Sequence, residues 1–161
     1  MNNQPDGGTY ISRRIVVTEI LSRVGRVTDI TILTAAILHQ VFDCSQTHKL
    51  EFDKCFGSEA RFLVQELTED NNLAEPERMQ ALVVRAPQLS SRAKQIIVAE
   101  KICKLQTITP VEPADWSFEQ KTGFMTWLSQ VVAGCRGANP NLDHYFDELF
   151  QERINSLLHA A

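Results

Sequence analysis

The sequence predicts an all-α fold, a compact bundle of several helices formed by one domain over residues 1–161. Apolar residues recur every three or four positions along most of the chain, as they do on one face of a helix. Segments with the alternating pattern of β-strands are nearly absent. The chain is 43% hydrophobic and 22% charged and has no Pro-, Gly- or Ser-rich linker, which is typical of a single globular domain.

The first two helices are predicted from apolar periodicity and from signals at their ends. Apolar residues recur at helical spacing over 11–24, and Gly25 follows where a C-terminal cap would lie. Thr28 or Asp29 can cap a second helix over 30–42, which is apolar on nearly every side. We therefore expect the second helix to lie in the middle of the fold.

Three shorter helices follow, over 47–56, 58–67 and 76–86. Thr47 can cap the first of them, Pro76 suits the first turn of the last, and Pro87 ends it. The β-branched segment Leu82–Arg85 falls in the frame of that last helix. We therefore predict that this segment is helical.

The three remaining helices are predicted over 90–108, over 116–133 and from Asn139 or Asn141 to Leu157. Ser90 can cap the first of these, whose apolar residues cover much of its circumference. That pattern indicates a buried helix, with Glu100 in its middle. The helix over 116–133 places an apolar face on one side that includes Phe124 and Trp127.

Composition excludes several classes of function. The net charge is -4 with both signs mixed along the chain, so no basic stripe suited to nucleic acid is present. No apolar run approaches the roughly 20 residues of a membrane span, and the first ten residues lack the pattern of a signal peptide. We expect a cytoplasmic protein that binds neither nucleic acid nor membrane.

The four cysteines are widely spaced and are expected to be reduced thiols. Cys44, His48 and Cys55 are close enough in sequence to suggest a metal corner, but no fourth ligand follows at a zinc-like spacing. Buried free cysteine is the favoured interpretation.

Polar residues on predicted buried helices are the main pointer to a functional site. His39 and Gln40 lie near the end of the second helix, and Glu100 lies in the sixth. A buried histidine and acid are costly unless they are paired or bind something. The pattern fits either a histidine and glutamate that satisfy each other or a metal site, and the first is favoured on these residues alone.

Three segments resemble motifs of one family. Residues 35–43, Ala-Ala-Ile-Leu-His-Gln-Val-Phe-Asp, are similar to the His-Asp helix of HD-domain phosphohydrolases, in particular of RelA/SpoT-type hydrolase domains. Residues 56–68 resemble the Phe-Gly and Leu-Val-x-x-Val-Thr motif, and 98–102 the Leu-Ala-Asp-Lys/Arg-Leu motif. The chain is identified as a degenerate member of the small alarmone hydrolases, most similar to their metazoan single-domain SpoT homologue, over about Pro5 to Arg153.

The resemblance implies a manganese site that releases pyrophosphate from the 3′ position of guanosine tetra- or pentaphosphate; the metazoan relatives also act on NADPH. The family's four metal ligands fall on Arg13, His39, Gln40 and Glu100. The family's acidic pair that positions the attacking water falls on Asp43 and Cys44. An asparagine of the family's site falls on Lys104, and a tyrosine that lies near the nucleotide falls on Phe124. Arg13 cannot donate a lone pair and Gln40 offers only a neutral oxygen, so no metal cofactor is expected unless a weak manganese site survives.

Two roles for Arg13 follow from the same comparison. Its charge could stand in for the metal and hold a phosphate, with Lys101, Lys104 and Phe124 as further nucleotide-binding candidates. It could instead form an internal ion pair with Glu100 or Asp43, which is favoured because a buried carboxylate is most readily neutralised in this way.

The function expected from these substitutions is that of a pseudoenzyme that binds a protein partner or a nucleotide, such as a guanine nucleotide or NADPH. One alternative is a weak manganese-dependent hydrolase of guanosine tetraphosphate or NADPH. Another is a structural protein that acts by oligomerisation. The family's domain opens with an additional helix, for which Met1 comes too late, and we expect apolar surface there to be covered by self-association or a partner.

Overall fold

The computed structural model of the protein describes residues 7–39 and 49–160. This part of the chain contains helices and loops but no strand, which confirms the predicted all-α class. None of its helices is both long and apolar enough to cross a membrane. The helices are α1 Gly7–Glu19, α2 Ile30–Leu38, α3 Lys49–Phe56, α4 Ser58–Leu67, α5 Glu75–Arg85, α6 Ser91–Gln106, α7 Phe118–Cys135 and α8 Pro140–Ala160.

Side-chain caps define several helix starts. Asp29 accepts a hydrogen bond from the backbone N–H of Thr31, and Ser90 accepts one from Ala93, so both predicted caps are confirmed. The side chain of Asn139 accepts from the N–H groups of Asn141 and Leu142, which makes Asn139 the cap of α8. Leu82–Arg85 is helical as predicted, within α5.

Two of the predicted helices differ in their details. The first continues beyond α1 as a π-helical turn, Ile20–Val24. The second ends at Leu38, because His39 leaves the helical conformation with a ψ of 129°. The last predicted positions of that helix, 40–42, lie outside the described residues.

The centre of the fold is α6 rather than α2. Helix α6 contacts α1, α2, α4, α7 and α8, and ten of its residues are buried, Glu100 and Lys101 among them. Helix α2 buries Ile32, Ala35 and Ala36 but leaves Ile30 74% exposed. Ile37 is also 45% exposed, although α2 contacts α1, α4 and α6, so the expectation that the second helix is buried in the middle of the fold is wrong.

Apolar side chains remain exposed on α1. Ile11 and Ile15 are 56% and 58% exposed, one helical turn apart. That a partner or a second copy covers such a surface stays a prediction.

Candidate functional site

Glu100 and Arg14 form a buried ion pair in the middle of the bundle. Nη1 of Arg14 on α1 donates to Oε1 of Glu100 on α6 over 2.5 Å, and the two side chains are 6% and 9% exposed. Burial by itself raises the pKa of Glu100, but the charges of Lys101 and Arg14 and the hydrogen bond from Arg14 outweigh it and lower the pKa. Glu100 is therefore an ionised carboxylate at neutral pH.

The arginine that pairs with Glu100 is Arg14 and not Arg13, so the predicted pair of Arg13 with Glu100 is wrong. Consecutive residues of a helix point about 100° apart, because one turn takes 3.6 residues. Arg14 consequently faces α6, whereas Arg13 is exposed. The other predicted partner of Arg13, Asp43, lies outside the described residues.

His39 lies beside the same carboxylate. Its Nε2 is 3.4 Å from Oε1 of Glu100, and the residue is 3% exposed. Burial lowers the pKa of His39, and the nearby Glu100 only partly opposes this. Nδ1 has no hydrogen-bond partner within the described part of the chain. The predicted proximity of His39 and Glu100 is thus confirmed.

Two lysines and a tryptophan lie on the other side of Glu100. Nζ of Lys101 is 4.0 Å from Oε2 of Glu100 and 5.1 Å from the centre of the Trp127 ring, and Nζ of Lys104 is 5.4 Å from that ring. Trp127 donates from Nε1 to the carbonyl oxygen of Met79 over 3.0 Å. Burial lowers the pKa of Lys101 to about 8.

Two cavities open next to this cluster. The first, which we name the basic recess, has a volume of about 90 Å³. It is lined by Val17, the cations Arg13, Arg14, Lys101 and Lys104, and the carboxylates Glu69 and Glu100. The recess therefore carries two more positive than negative side chains.

The second, the aromatic cavity, has a volume of about 200 Å³ and shares Arg13 and Lys104 with the basic recess. Phe124 and Trp116 line it, with ring centres 5.2 Å apart in an edge-to-face arrangement. Cys103 also lines it, and burial raises the pKa of its thiol.

The four nucleotide-binding candidates from the sequence surround these two cavities. Arg13 and Lys104 line both cavities, Lys101 lines the basic recess and Phe124 lines the aromatic cavity. Sequence reasoning missed Glu69, Trp116 and Cys103, and it placed Trp127 only on an apolar face. No local pattern around Trp127 predicts its contact with the two lysines, because Trp127 lies on α7 and both lysines lie on α6. The contact depends on how α7 packs against α6.

The described residues do not fit a metal ion. No group of three or more His, Cys, Asp or Glu side chains that could hold one occurs within 7–39 and 49–160. The oxygen of Glu100 that His39 approaches is occupied by a permanent cation, the guanidinium of Arg14. The remaining family positions, Gln40, Asp43 and Cys44, lie outside the described residues. Of the possible metal corner, Cys44 and His48 also lie outside them, and Cys55 is an exposed free thiol.

Several proteins with known names are similar to this chain. The MESH1 protein of Danio rerio, named a guanosine-3′,5′-bis(diphosphate) 3′-pyrophosphohydrolase, is 34% identical over 152 residues, 94% of this chain and 84% of its own length. The Mus musculus protein of the same name is 36% identical over 149 residues, 92% of this chain and 83% of its own. No family model matches the chain.

Solved structures agree with these relatives. A metazoan orthologue of SpoT, described as hydrolysing ppGpp, superposes with a TM-score of 0.78 at 34% identity, covering 89% of this chain and 81% of that one. A Listeria monocytogenes protein superposes with a TM-score of 0.65 at 20% identity over 89% of this chain and 99% of its own, a likeness of fold alone. On its identity to these relatives along nearly all of its length, the chain belongs to the MESH1 family of HD-domain hydrolases, the metazoan SpoT orthologues.

Proposed function

We propose that this protein binds a nucleotide that carries several phosphates, in the basic recess and the aromatic cavity, which share Arg13 and Lys104, and that it does not hydrolyse this nucleotide by a metal-dependent route. The ligand class comes from the relatives, which are named for guanosine-3′,5′-bis(diphosphate). NADPH, which the sequence resemblance also implies, is the second ligand to test.

The observation that carries the proposal is a pair of cations, shared by the two cavities, that form no ion pair with any carboxylate of the described residues. Arg13 and Lys104 line both cavities, and neither has a carboxylate within 4 Å among the described residues. Cations without an internal partner at the mouth of a cavity attract phosphate oxygens. The aromatic rings of Phe124 and Trp116, which meet edge to face, supply apolar surface next to them.

The absence of metal-dependent turnover is supported by the pair of Arg14 and Glu100. Metal-assisted hydrolysis needs carboxylate lone pairs free to coordinate the ion, and a nearby positive charge opposes the ion's approach. Glu100 already gives one oxygen to Arg14 over 2.5 Å, and Lys101 lies 4.0 Å from the other.

A manganese-dependent hydrolase is the second candidate, and the comparisons favour it. The relatives of 34% and 36% identity are named for this activity and align with more than nine-tenths of this chain. In that case Arg14 would have to leave Glu100 before an ion could bind. Purely structural self-association is the third candidate, supported only by the exposed Ile11 and Ile15.

Calorimetric titration with guanosine tetraphosphate and with NADPH, each without metal, tests binding. We expect Arg13→Gln and Lys104→Gln each to weaken binding about 10-fold, because each removes one charged phosphate contact worth about 1.4 kcal/mol. Lys54→Gln is the control, since Lys54 is exposed on α3 and lines neither cavity. No saturable heat with either nucleotide would contradict the binding proposal.

Turnover is tested separately by chromatography of both nucleotides after incubation with manganese. We expect no pyrophosphate or phosphate release above the uncatalysed background. Release that depends on manganese and disappears in His39→Ala would establish the hydrolase instead.

A further inference from the structure

Three helices bring position 14 and two potential metal ligands to one point. Arg14 lies on α1, His39 directly follows α2 and Glu100 lies on α6. Nη1 of Arg14 and Nε2 of His39 approach the same oxygen, Oε1 of Glu100, at 2.5 Å and 3.4 Å. The three side chains are thus arranged around a single buried position.

We infer that Arg14 is the residue that keeps a divalent metal ion out of this site, and that a nitrogen ligand at position 14, not at position 13, completes a three-ligand metal site with His39 and Glu100. This inference rests on one part of the proposed function, namely that the protein does not hydrolyse its nucleotide by a metal-dependent route. Its test measures metal uptake, so it is independent of whether a nucleotide binds.

Arg14 excludes an ion in two ways. Its guanidinium donates to Oε1 of Glu100 and so occupies one of the carboxylate lone pairs that an ion would use. It also fixes a positive charge beside the carboxylate, since an arginine cannot be deprotonated in a protein. The ion and the guanidinium therefore compete for the same place beside Glu100. The guanidinium has the advantage, because it is covalently attached to the chain and is always present there.

The motif comparison and the structure disagree on which arginine matters. The family's histidine ligand falls on Arg13 by sequence, so the comparison predicts that position 13 is where a nitrogen ligand is missing. Arg13 is exposed, however, and no ion pair or hydrogen bond joins it to Glu100, whereas Arg14 is 5% exposed and bonded to it. The structure therefore predicts that Arg14→His restores the site.

The donor set after that change suits a first-row divalent ion. Two imidazoles and one carboxylate, with open positions for water, are a common ligand set for such metals. A histidine side chain is shorter than an arginine, and an ion held between its nitrogen and the carboxylate oxygen, at about 2 Å from each, occupies the space that the guanidinium leaves. The basic recess borders this point, because Arg14 and Glu100 both line it, and it has room for the water ligands.

The experiment compares four proteins by titration with Mn²⁺, followed through the electron paramagnetic resonance signal of the free ion: the natural chain, Arg14→His, Arg13→His and Arg14→His with Glu100→Gln. Mn²⁺ is chosen because it binds thiolates poorly, so Cys55 and Cys103 do not compete for it. We expect Arg14→His to bind one ion per chain at least 10-fold more tightly than the natural chain. Arg13→His and the double variant should match the natural chain.

Arg14→His removes the partner of a buried carboxylate and can unfold. Arg14→Gln is the second variant, because glutamine is neutral, keeps a hydrogen-bond donor and adds no strong ligand. It should bind Mn²⁺ measurably more tightly than the natural chain and more weakly than Arg14→His. If Arg14→His is unfolded with and without Mn²⁺, the Mn²⁺ affinity of Arg14→Gln relative to the natural chain decides whether Arg14 excludes the ion.

Three results would overturn the inference: one tightly bound ion in the natural chain, uptake by Arg13→His but not by Arg14→His, or an Arg14→Gln variant no different from the natural chain. A nucleotide titration of the same four samples separates the two proposals. No nucleotide binding by the natural chain, together with Mn²⁺ uptake by Arg14→His, would contradict the proposed function and support this inference.

Discussion

The carboxylate of Glu100 and the guanidinium of Arg14 lie 2.5 Å apart in the interior, although 86 positions separate them in the chain. The pair joins α1 to α6, the helix at the centre of the bundle. A buried ion pair gains less than its Coulomb attraction suggests, because both groups lose their hydration. Removing one partner is much more costly, since the other stays buried and charged.

Glu100→Gln is therefore expected to lower the free energy of unfolding by about 3–5 kcal/mol, because the guanidinium of Arg14 loses its buried counter-charge. Urea denaturation followed by circular dichroism measures the change. Glu19→Gln is the control: Glu19 pairs with Arg23 at the surface, where such a pair contributes less than about 1 kcal/mol. Equal effects of the two substitutions would contradict the buried pair.

Lys101 should make the protein more stable as the pH rises from 8 towards 10.5. Burial lowers its pKa to about 8 in the folded state, against 10.5 for an ordinary lysine. Between these values the unfolded chain binds more protons than the folded one, so the free energy of unfolding increases with pH. The gain is on the order of 3 kcal/mol over this range.

Urea denaturation of the natural chain and of Lys101→Met at several pH values between 7 and 10.5 checks this. As the pH rises, the free energy of unfolding of the natural chain should increase relative to that of Lys101→Met. A difference that does not change with pH would show that Lys101 titrates normally.

His39 is expected to destabilise the protein in mild acid. Burial lowers its pKa below 6.5 in the folded state, so the unfolded chain takes up the proton first as the pH falls. The free energy of unfolding should then drop below pH 6.5, by at most about 1.4 kcal/mol per pH unit from this residue. In His39→Gln the free energy of unfolding should fall less between pH 7 and pH 5 than in the natural chain. In the control His144→Gln, at an exposed position, it should fall as much as in the natural chain. Denaturation at pH 7, 6 and 5 makes the comparison.

The two glycines of α7 should respond in opposite ways to alanine. A Cβ at Gly134 would lie 2.9 Å from Cβ of Ala86 and 2.9 Å from Cδ of Pro87, so Gly134→Ala should destabilise by about 1–3 kcal/mol through overpacking. A Cβ at Gly123 meets nothing within 4 Å. Gly123→Ala should therefore stabilise the protein by about 0.5–1 kcal/mol, because alanine favours the helix. Thermal melting of both variants measures these changes. A Gly134→Ala variant as stable as the natural chain would contradict the close packing of α7 against Ala86 and Pro87.

The amino-acid sequence by itself determined the helical class, the caps Asp29 and Ser90 and the burial of Glu100. These features depend on apolar spacing and on hydrogen bonds between residues two or three positions apart, which are visible locally. The motifs over 35–43, 56–68 and 98–102, the first and last of which carry His39 and Glu100, were also sufficient to recognise the family.

Only the tertiary structure decided which arginine meets Glu100 and how Trp127 lies against the two lysines. Arg13 and Arg14 are the same residue type on adjacent positions, and their roles differ because the helix turns by about 100° between them. Which of the two faces α6 depends on the rotation at which α1 packs against its neighbours, and that rotation is set by contacts between helices far apart in the chain.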